Sequence, residues 1–375
     1  MNKLIFLILF FLLAFKVEAY TFTNGDLKLD ANGYIGYKFI GATVKHSVLP
    51  SEPELGLALS AQYGNHLSFY TQFAYDDQID RALVYSFAAY DIQFENEINL
   101  TLKAGKLRHP YGLYNAARIN PRTRPGIIVP QAIYWDSLNH LLTSGVGAGF
   151  DVKWRNVELG YEMDNPGTGN PKDEALVWSG GLLKETNTSF GSHQSAYVKY
   201  NFSSIPATFK SSWMRINLGN KTAPIASYLF PQITNKDNIA NMFINSVEFN
   251  PFDKFTFTGE SLFVKTPINF NNDFTKWSNG YSFTGKYELT DKINVYANYN
   301  YYQSQHIPFT PEQKWQYQNT TDVSIGINYH ENKWQVGAEI HKIQGGRWAN
   351  PNDYFSDPNS FKNWYMVGVN FAYFF

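Results

Sequence analysis

Arginine is the residue type in this chain whose number and spacing point most directly to chemistry. Arg108, Arg118, Arg122 and Arg124 fall within residues 108–143, interleaved with Pro110, Pro121, Pro125 and Pro130. A guanidinium stays charged at any usable pH, so several around an opening attract anions and repel cations. The competing reading is that they pair with acidic side chains such as Asp151, Glu158 and Glu162 and hold the stretch in place. Elsewhere, His193-Gln194-Ser195 puts a base and a hydroxyl two residues apart, on one face of a strand. The other histidines, among them His109, His140, His306 and His341, show no metal-ligand spacing. The chain has no cysteine, which excludes disulfides, thiolate metal sites and a cysteine nucleophile. From these motifs alone no catalytic residue, metal site or cofactor is expected.

The elements that must position such residues follow from the N-terminus and the composition. Lys3 leads into the apolar run from Leu4 to Phe15, and Val17-Glu18-Ala19 offers small residues at the spacing read by signal peptidase. Residues 1–19 are therefore expected to be a secretory signal, and residues 20–375 one exported domain. No later run reaches the roughly 18 apolar residues of a transmembrane helix. The formal net charge is −1, so nucleic acid is not an expected partner. Yet 26 Tyr, 30 Phe and 9 Trp coexist with a mean hydropathy of −0.34, because the aromatics alternate with polar residues. That pattern belongs to a sheet with one apolar and one polar face. In an exported chain it predicts an all-β fold, a transmembrane barrel with lipid outside and a polar lumen inside.

Sixteen segments of period two can be traced, beginning with 26–40 and ending with 362–375, and their connections alternate between short and long. The alternation is weakest between residues 193 and 264. Within 81–95 the parity slips from Leu83, Tyr85 and Phe87 to Tyr90, Ile92 and Phe94, which places a bulge near Ala88-Ala89. Only residues 20–25 precede the first segment, too few for a plug. Residues 108–143 form the third long connection, expected to fold inward as a constriction. Parity puts Lys103, Asp151, Lys153, Glu158 and Glu162 on the lumen wall opposite the arginines, signs interspersed. A basic stretch against such a wall sets a transverse field with a modest anion preference. Gly145, Gly147 and Gly149 share the inner face of one segment, a surface without side chains on which the stretch is expected to dock. Ala196, Val198, Tyr200 and Phe202 claim the lipid face of their segment, so His193 and Ser195 point away from any lipid substrate.

The final segment carries Tyr365, Val367, Val369, Phe371, Tyr373 and Phe375 on one face. Phe371, Tyr373 and Phe375 resemble the terminal signal read by the barrel-assembly machinery of bacterial outer membranes. The whole of residues 20–375 resembles the 16-stranded bacterial porins. Gly105 to Asn115, followed by Pro121 to Pro125 and Pro130 to Tyr134, resembles the entry to the third loop of phosphate-selective and related proteobacterial porins. The resemblance implies an antiparallel barrel in the outer membrane, in contact with lipid and assembled as a homotrimer, although the second outer loop, residues 76–81, is short for a trimer latch. It implies passive diffusion of small hydrophilic or anionic solutes, or else a substrate-specific channel for phosphate, another anion or a saccharide. An enzyme is not expected.

Overall fold

The computed structural model describes residues 19–44, 51–75, 83–115, 118–134, 144–165, 190–218, 238–267, 275–304, 319–346 and 358–375. The expected signal up to residue 18, the second long connection, residues 135–143 of the arginine-rich stretch, His140 and His306 lie outside them.

Seventeen strands form one sheet: β1 (Tyr20–Asn24), β2 (Leu27–Ala42), β3 (Glu52–Tyr63), β4 (Leu67–Tyr75), β5 (Leu83–Phe94), β6 (Ile98–Arg108), β7 (Ser144–Trp154), β8 (Val157–Asn165), β9 (Phe190–Asn201), β10 (Ala207–Leu218), β11 (Asn238–Phe252), β12 (Phe255–Pro267), β13 (Thr275–Thr290), β14 (Ile293–Ser304), β15 (Asn319–Glu331), β16 (Trp334–Gln344) and β17 (Trp364–Phe374). Each strand from β2 to β17 pairs antiparallel with its sequence neighbours, and β17 pairs back onto β2, closing a 16-stranded barrel. A helical turn in the third connection is α1 (Gln131–Tyr134).

The short strand β1 was not anticipated. It pairs with Leu27 to Ala31 of β2, on the edge that β17 leaves when it ends beside Tyr34 and Gly33. Gly25 makes the turn between them with φ +57°. The tight connections all lie at one end of the barrel, and Asn96, Glu97, Arg155, Lys254 and Asn332 take positive φ there to make them. The strand ends flanking the long connections are at the other end.

Period-two alternation is visible in burial: β16 reads intermediate, then strictly buried and exposed in turn. Its exposed members, such as Val336 and Ile340, join Phe243, Tyr281, Phe283, Val367 and Val369 in an outward apolar belt. The inner face is mostly polar, with Asn298, Asn300, Asp322, Ser324, Glu339 and His341 all buried.

Two deviations have local causes. The register shift in β5 falls at Val84, where Gln72 faces Tyr85 and Phe73 faces Leu83, rather than near Ala88-Ala89. Tyr85 and Phe87 are consequently on the inner face, and their aromatic character had marked them as outward. The blurred alternation of β10 to β12 has a different origin: Met214, Ile216, Met242, Ile244, Leu262 and Val264 form an apolar patch that packs against residues 127–134. Both faces of those strands are apolar there, which removes the contrast that reveals a period.

Candidate functional site

Residues 109–134 leave β6 at the long-connection end and make their contacts with the inner-face side chains. Gly112, with φ +61°, turns the chain beside Tyr134, and Gly112 and Pro110 carbonyls accept hydrogen bonds from Lys210 (2.9 Å) and Ser212 (3.2 Å) of β10. Farther along, the Ile119 carbonyl accepts from Tyr34 (2.6 Å), the Pro121 carbonyl from Gln335 (3.1 Å), and Arg122 donates to the Asn332 carbonyl. Asn332 is in the tight β15–β16 turn, so the segment spans the barrel from its long-connection end to its short-turn end. It then returns through Ile127 and Ile128 to α1, whose four residues are all buried.

Three inner-face carboxylates grip it. Glu54 of β3 accepts from both terminal guanidinium nitrogens of Arg124, at 2.8 and 3.0 Å, in a buried bidentate pair. Glu339 of β16 accepts the backbone N–H groups of Ile127 (3.0 Å) and Ile128 (2.9 Å) as well as the Tyr296 hydroxyl (2.7 Å). Glu260 of β12 accepts from the Leu113 N–H (2.9 Å), the Tyr134 hydroxyl (2.7 Å) and Ser246 (2.9 Å). Burial and the facing Glu260 carboxylate push the Tyr134 and Tyr114 hydroxyls above the usual phenol range, so both stay protonated donors. Ile127, Ile128, Val129 and Ile133 add apolar burial of about 1.5–3 kcal/mol each within the inner apolar cluster, Ile127 lying beside Gly337 and Gly368 of β16 and β17. Gly280 leaves room for the Ala132 carbonyl, which a Cβ there would meet at 2.1 Å.

The four arginines thus have separate environments. Arg118 is buried and donates to the Tyr134 carbonyl (3.1 Å). Arg124 is paired with Glu54. Arg122 lies 3.9 Å over the Phe374 ring at the short-turn end, and partial burial lowers its pKa without discharging it. Arg108, at the end of β6, stacks 5.0 Å from the Tyr85 ring, and its Nε has no hydrogen-bond partner among the described residues. With Lys103, Glu162, Tyr70, Tyr85 and Phe87 it lines a pocket of about 210 Å³.

The wall acids expected to meet the arginines serve other partners. Lys103 bridges Asp151 (3.0 Å) and Glu162 (2.7 Å), and the Tyr197 hydroxyl donates to Asp151 (2.9 Å) and Glu158 (2.6 Å). Lys153 is exposed, opposite Glu158 across β7 and β8. The glycine row of β7 lies directly against β8. A Cβ at Gly145 would meet Asp164 Oδ1 at 1.9 Å, one at Gly147 the Met163 carbonyl at 2.0 Å, and one at Gly149 the Tyr161 carbonyl at 2.6 Å. The nearest neighbours of these glycines are thus the β8 backbone and the Asp164 and Glu162 side chains, and His109 at the start of the segment reaches Asp164 from above (3.3 Å). The Phe371 and Tyr373 rings pack on Trp334, and Phe375 exchanges backbone hydrogen bonds with Gly33.

His193 and Ser195 are buried on the inner face. A hydrolase would join Ser195 Oγ to His193 Nε2, yet neither atom has a hydrogen-bond partner among the described residues. His193 instead turns Nδ1 to Asp164 (3.3 Å), and its ring centroid lies 4.0 Å from that of His109 with the planes tilted by 43°; burial and that neighbour push the His109 pKa down to about 3. The residue pairs missed from sequence are therefore His109 with His193 and the three gripping carboxylates. Glu260 and Glu339 could be placed inward by parity, but their partners come from a segment without periodicity.

No family model and no curated protein matches the chain. Solved structures do. The outer membrane channel DcaP of Acinetobacter baumannii superposes with a TM-score of 0.60 at 9% identity, covering 96% of this chain and 100% of that one. The trimer form of OmpT, an outer membrane protein of Vibrio cholerae, gives 0.57 at 12%, covering 93% and 99%. An anion-selective porin from Comamonas acidovorans gives 0.57 at 10%, covering 93% and 100%. A closed 16-stranded antiparallel barrel, an outward apolar belt and full-length superposition on such structures agree: the chain has the fold of the bacterial outer-membrane porins and channels.

Proposed function

We propose that the chain is a passive diffusion channel of the bacterial outer membrane, exported by residues 1–19, embedded in lipid through its apolar belt, and narrowed by residues 108–143 folded into the lumen. The observation that carries this reading is the attachment of residues 109–134 to inner-face side chains of β3, β12 and β16, the first two seven strands apart in the ring of sixteen. In this reading the rest of the bore passes water and small hydrophilic solutes. Phe371, Tyr373 and Phe375 form the end presented to the barrel-assembly machinery, and the trimer form of the Vibrio cholerae neighbour supports a homotrimer.

Selectivity in this reading is a modest preference for anions, set by Arg108 at the pocket and Arg122 at the short-turn end, since Lys103 is compensated by Asp151 and Glu162. Arg124 is compensated by Glu54 and contributes less. Reconstitution in planar bilayers tests both parts. Stepwise conductance is expected, with a reversal potential under a salt gradient that favours anions; no conductance, or a clear cation preference, refutes the corresponding part.

A second reading, a substrate-specific channel for phosphate, another anion or a saccharide, is favoured by the same pocket. Tyr70, Tyr85 and Phe87 beside Arg108 and Lys103 combine stacking surface with positive charge. Saturable block of single-channel current by one solute class supports it, and conductance linear in solute concentration supports the general pore.

A further inference from the structure

We infer that His109, Asp164, His193 and Glu162 form a binding site for a first-row divalent cation of the zinc type, which anchors the start of the inward segment to the barrel wall. The four side chains come from three places: His109 follows β6, Glu162 and Asp164 are on β8, and His193 is on β9 directly across from Asp164. The Nδ1 atoms of His109 and His193 each lie 3.3 Å from Asp164 Oδ2, and Glu162 Oε2 lies 3.9 Å from His109 Nδ1. One donor atom each from His109, Asp164 and His193 falls within 4.8 Å of the other two. Ligands about 2.0–2.1 Å from a tetrahedral ion are roughly 3.3 Å from one another, so the spacing already suits a shared cation.

The bonding inside the cluster is incomplete. Both ring nitrogens of His109, His193 Nε2, Asp164 Oδ1, Glu162 Oε2 and Ser195 Oγ have no hydrogen-bond partner among the described residues, although both imidazoles are 0% exposed and Glu162 1%. A hydrogen-bonded network would satisfy these atoms from within, as buried polar groups normally are. Here two imidazoles converge on one carboxylate oxygen that can serve each only at long range. Lys103 occupies Glu162 Oε1 and leaves Oε2 aimed at His109. Two carboxylates and two imidazoles match the donor preference of Zn²⁺, and the absence of thiolates argues against softer ions.

The glycine row supplies the room. Cβ atoms at Gly145 and Gly147 would overlap Asp164, so the bare face of β7 is what leaves room for that side chain beside the two rings. An ion held there would tie residue 109 to β8 and β9 at once, beside the pocket that Glu162 also lines. The site does not depend on what the channel conducts.

The test uses the full-length protein purified in detergent, stripped with a chelator and titrated with Zn²⁺ or Co²⁺. One saturable equivalent per chain, a visible Co²⁺ spectrum of the tetrahedral oxygen and nitrogen type, and a higher unfolding temperature with Zn²⁺ are expected. His109→Ala, His193→Ala and Asp164→Asn should each weaken binding by about 100-fold or more, at or beyond the loss seen when only an outer-shell partner is removed. His66→Ala, altering a histidine bonded to the Asp91 carbonyl at a distant turn, should bind as wild type. Wild-type protein that takes up no stoichiometric Zn²⁺ overturns the inference without recourse to any variant. So does a folded His109→Ala/His193→Ala protein that binds as tightly as the wild type.

Discussion

The Arg124–Glu54 pair offers the sharpest test of how the inward segment is held. Both side chains are buried, joined by two hydrogen bonds of 2.8 and 3.0 Å, and carried by parts of the chain 70 residues apart. Removing one member leaves the other charged in a place with little water, a loss of about 3–5 kcal/mol, while removing both eliminates the stranded charge. Arg124→Ala and Glu54→Ala should therefore each lower the free energy of unfolding in detergent by about that amount. The double variant should fall short of their sum by at least about 1.5 kcal/mol. Since each 1.4 kcal/mol is a factor of ten, the single variants should also populate a partly released segment far more often. Single-channel records should show this as added current noise, with Arg124→Ala noisier than the double variant. Denaturant unfolding followed by tryptophan fluorescence supplies the energies. Single effects that add in the double variant to within about 0.5 kcal/mol would show that the pair does not hold the segment.

Other expectations concern different links in the chain from sequence to function. Lysine at Ile340 or Val369, both in the outward belt, should destabilise the membrane-inserted barrel by up to about 2–4 kcal/mol at mid-depth, measured by unfolding from lipid vesicles, whereas lysine at inward Ser324 should cost less. Gly147→Val should prevent correct folding, because its Cβ alone would lie 2.0 Å from the Met163 carbonyl; a normal yield of heat-modifiable barrel would contradict that close approach. Arg108→Gln should reduce anion preference in bilayers more than Arg124→Gln does, and equal reversal potentials would remove the pocket from the account of selectivity.

Strand placement was largely legible in the sequence because a lipid-facing barrel must alternate, and β13 to β17 do so almost without exception. Legibility failed where a second packing partner intervened. Met242, Ile244 and Leu262 are apolar on the inner face because residues 127–134 cover them, so β10 to β12 lost their period. Tyr85 and Phe87 were read as lipid-facing for want of any sign that the register shifts at Val84. The position of the arginine-rich stretch followed from counting strands, but its partners did not. Glu54, Glu260 and Glu339 come from three strands whose closeness to the segment is a matter of three-dimensional path. His109 and His193 share no motif, and only the β8–β9 register and the shared carboxylate of Asp164 bring their rings together.

A wide cylinder one sheet thick is soft toward flattening, because each strand pair needs to hinge only slightly for the circle to become an oval. Residues 109–134 act against this as an internal strut. They touch β3 through Glu54 and β12 through Glu260, seven strands apart by the shorter way round a ring of sixteen, and β16 through Glu339. Lateral pressure from a stressed or thinning bilayer would then be carried across the bore as well as around it. The same contacts would keep the cross-section of the barrel constant.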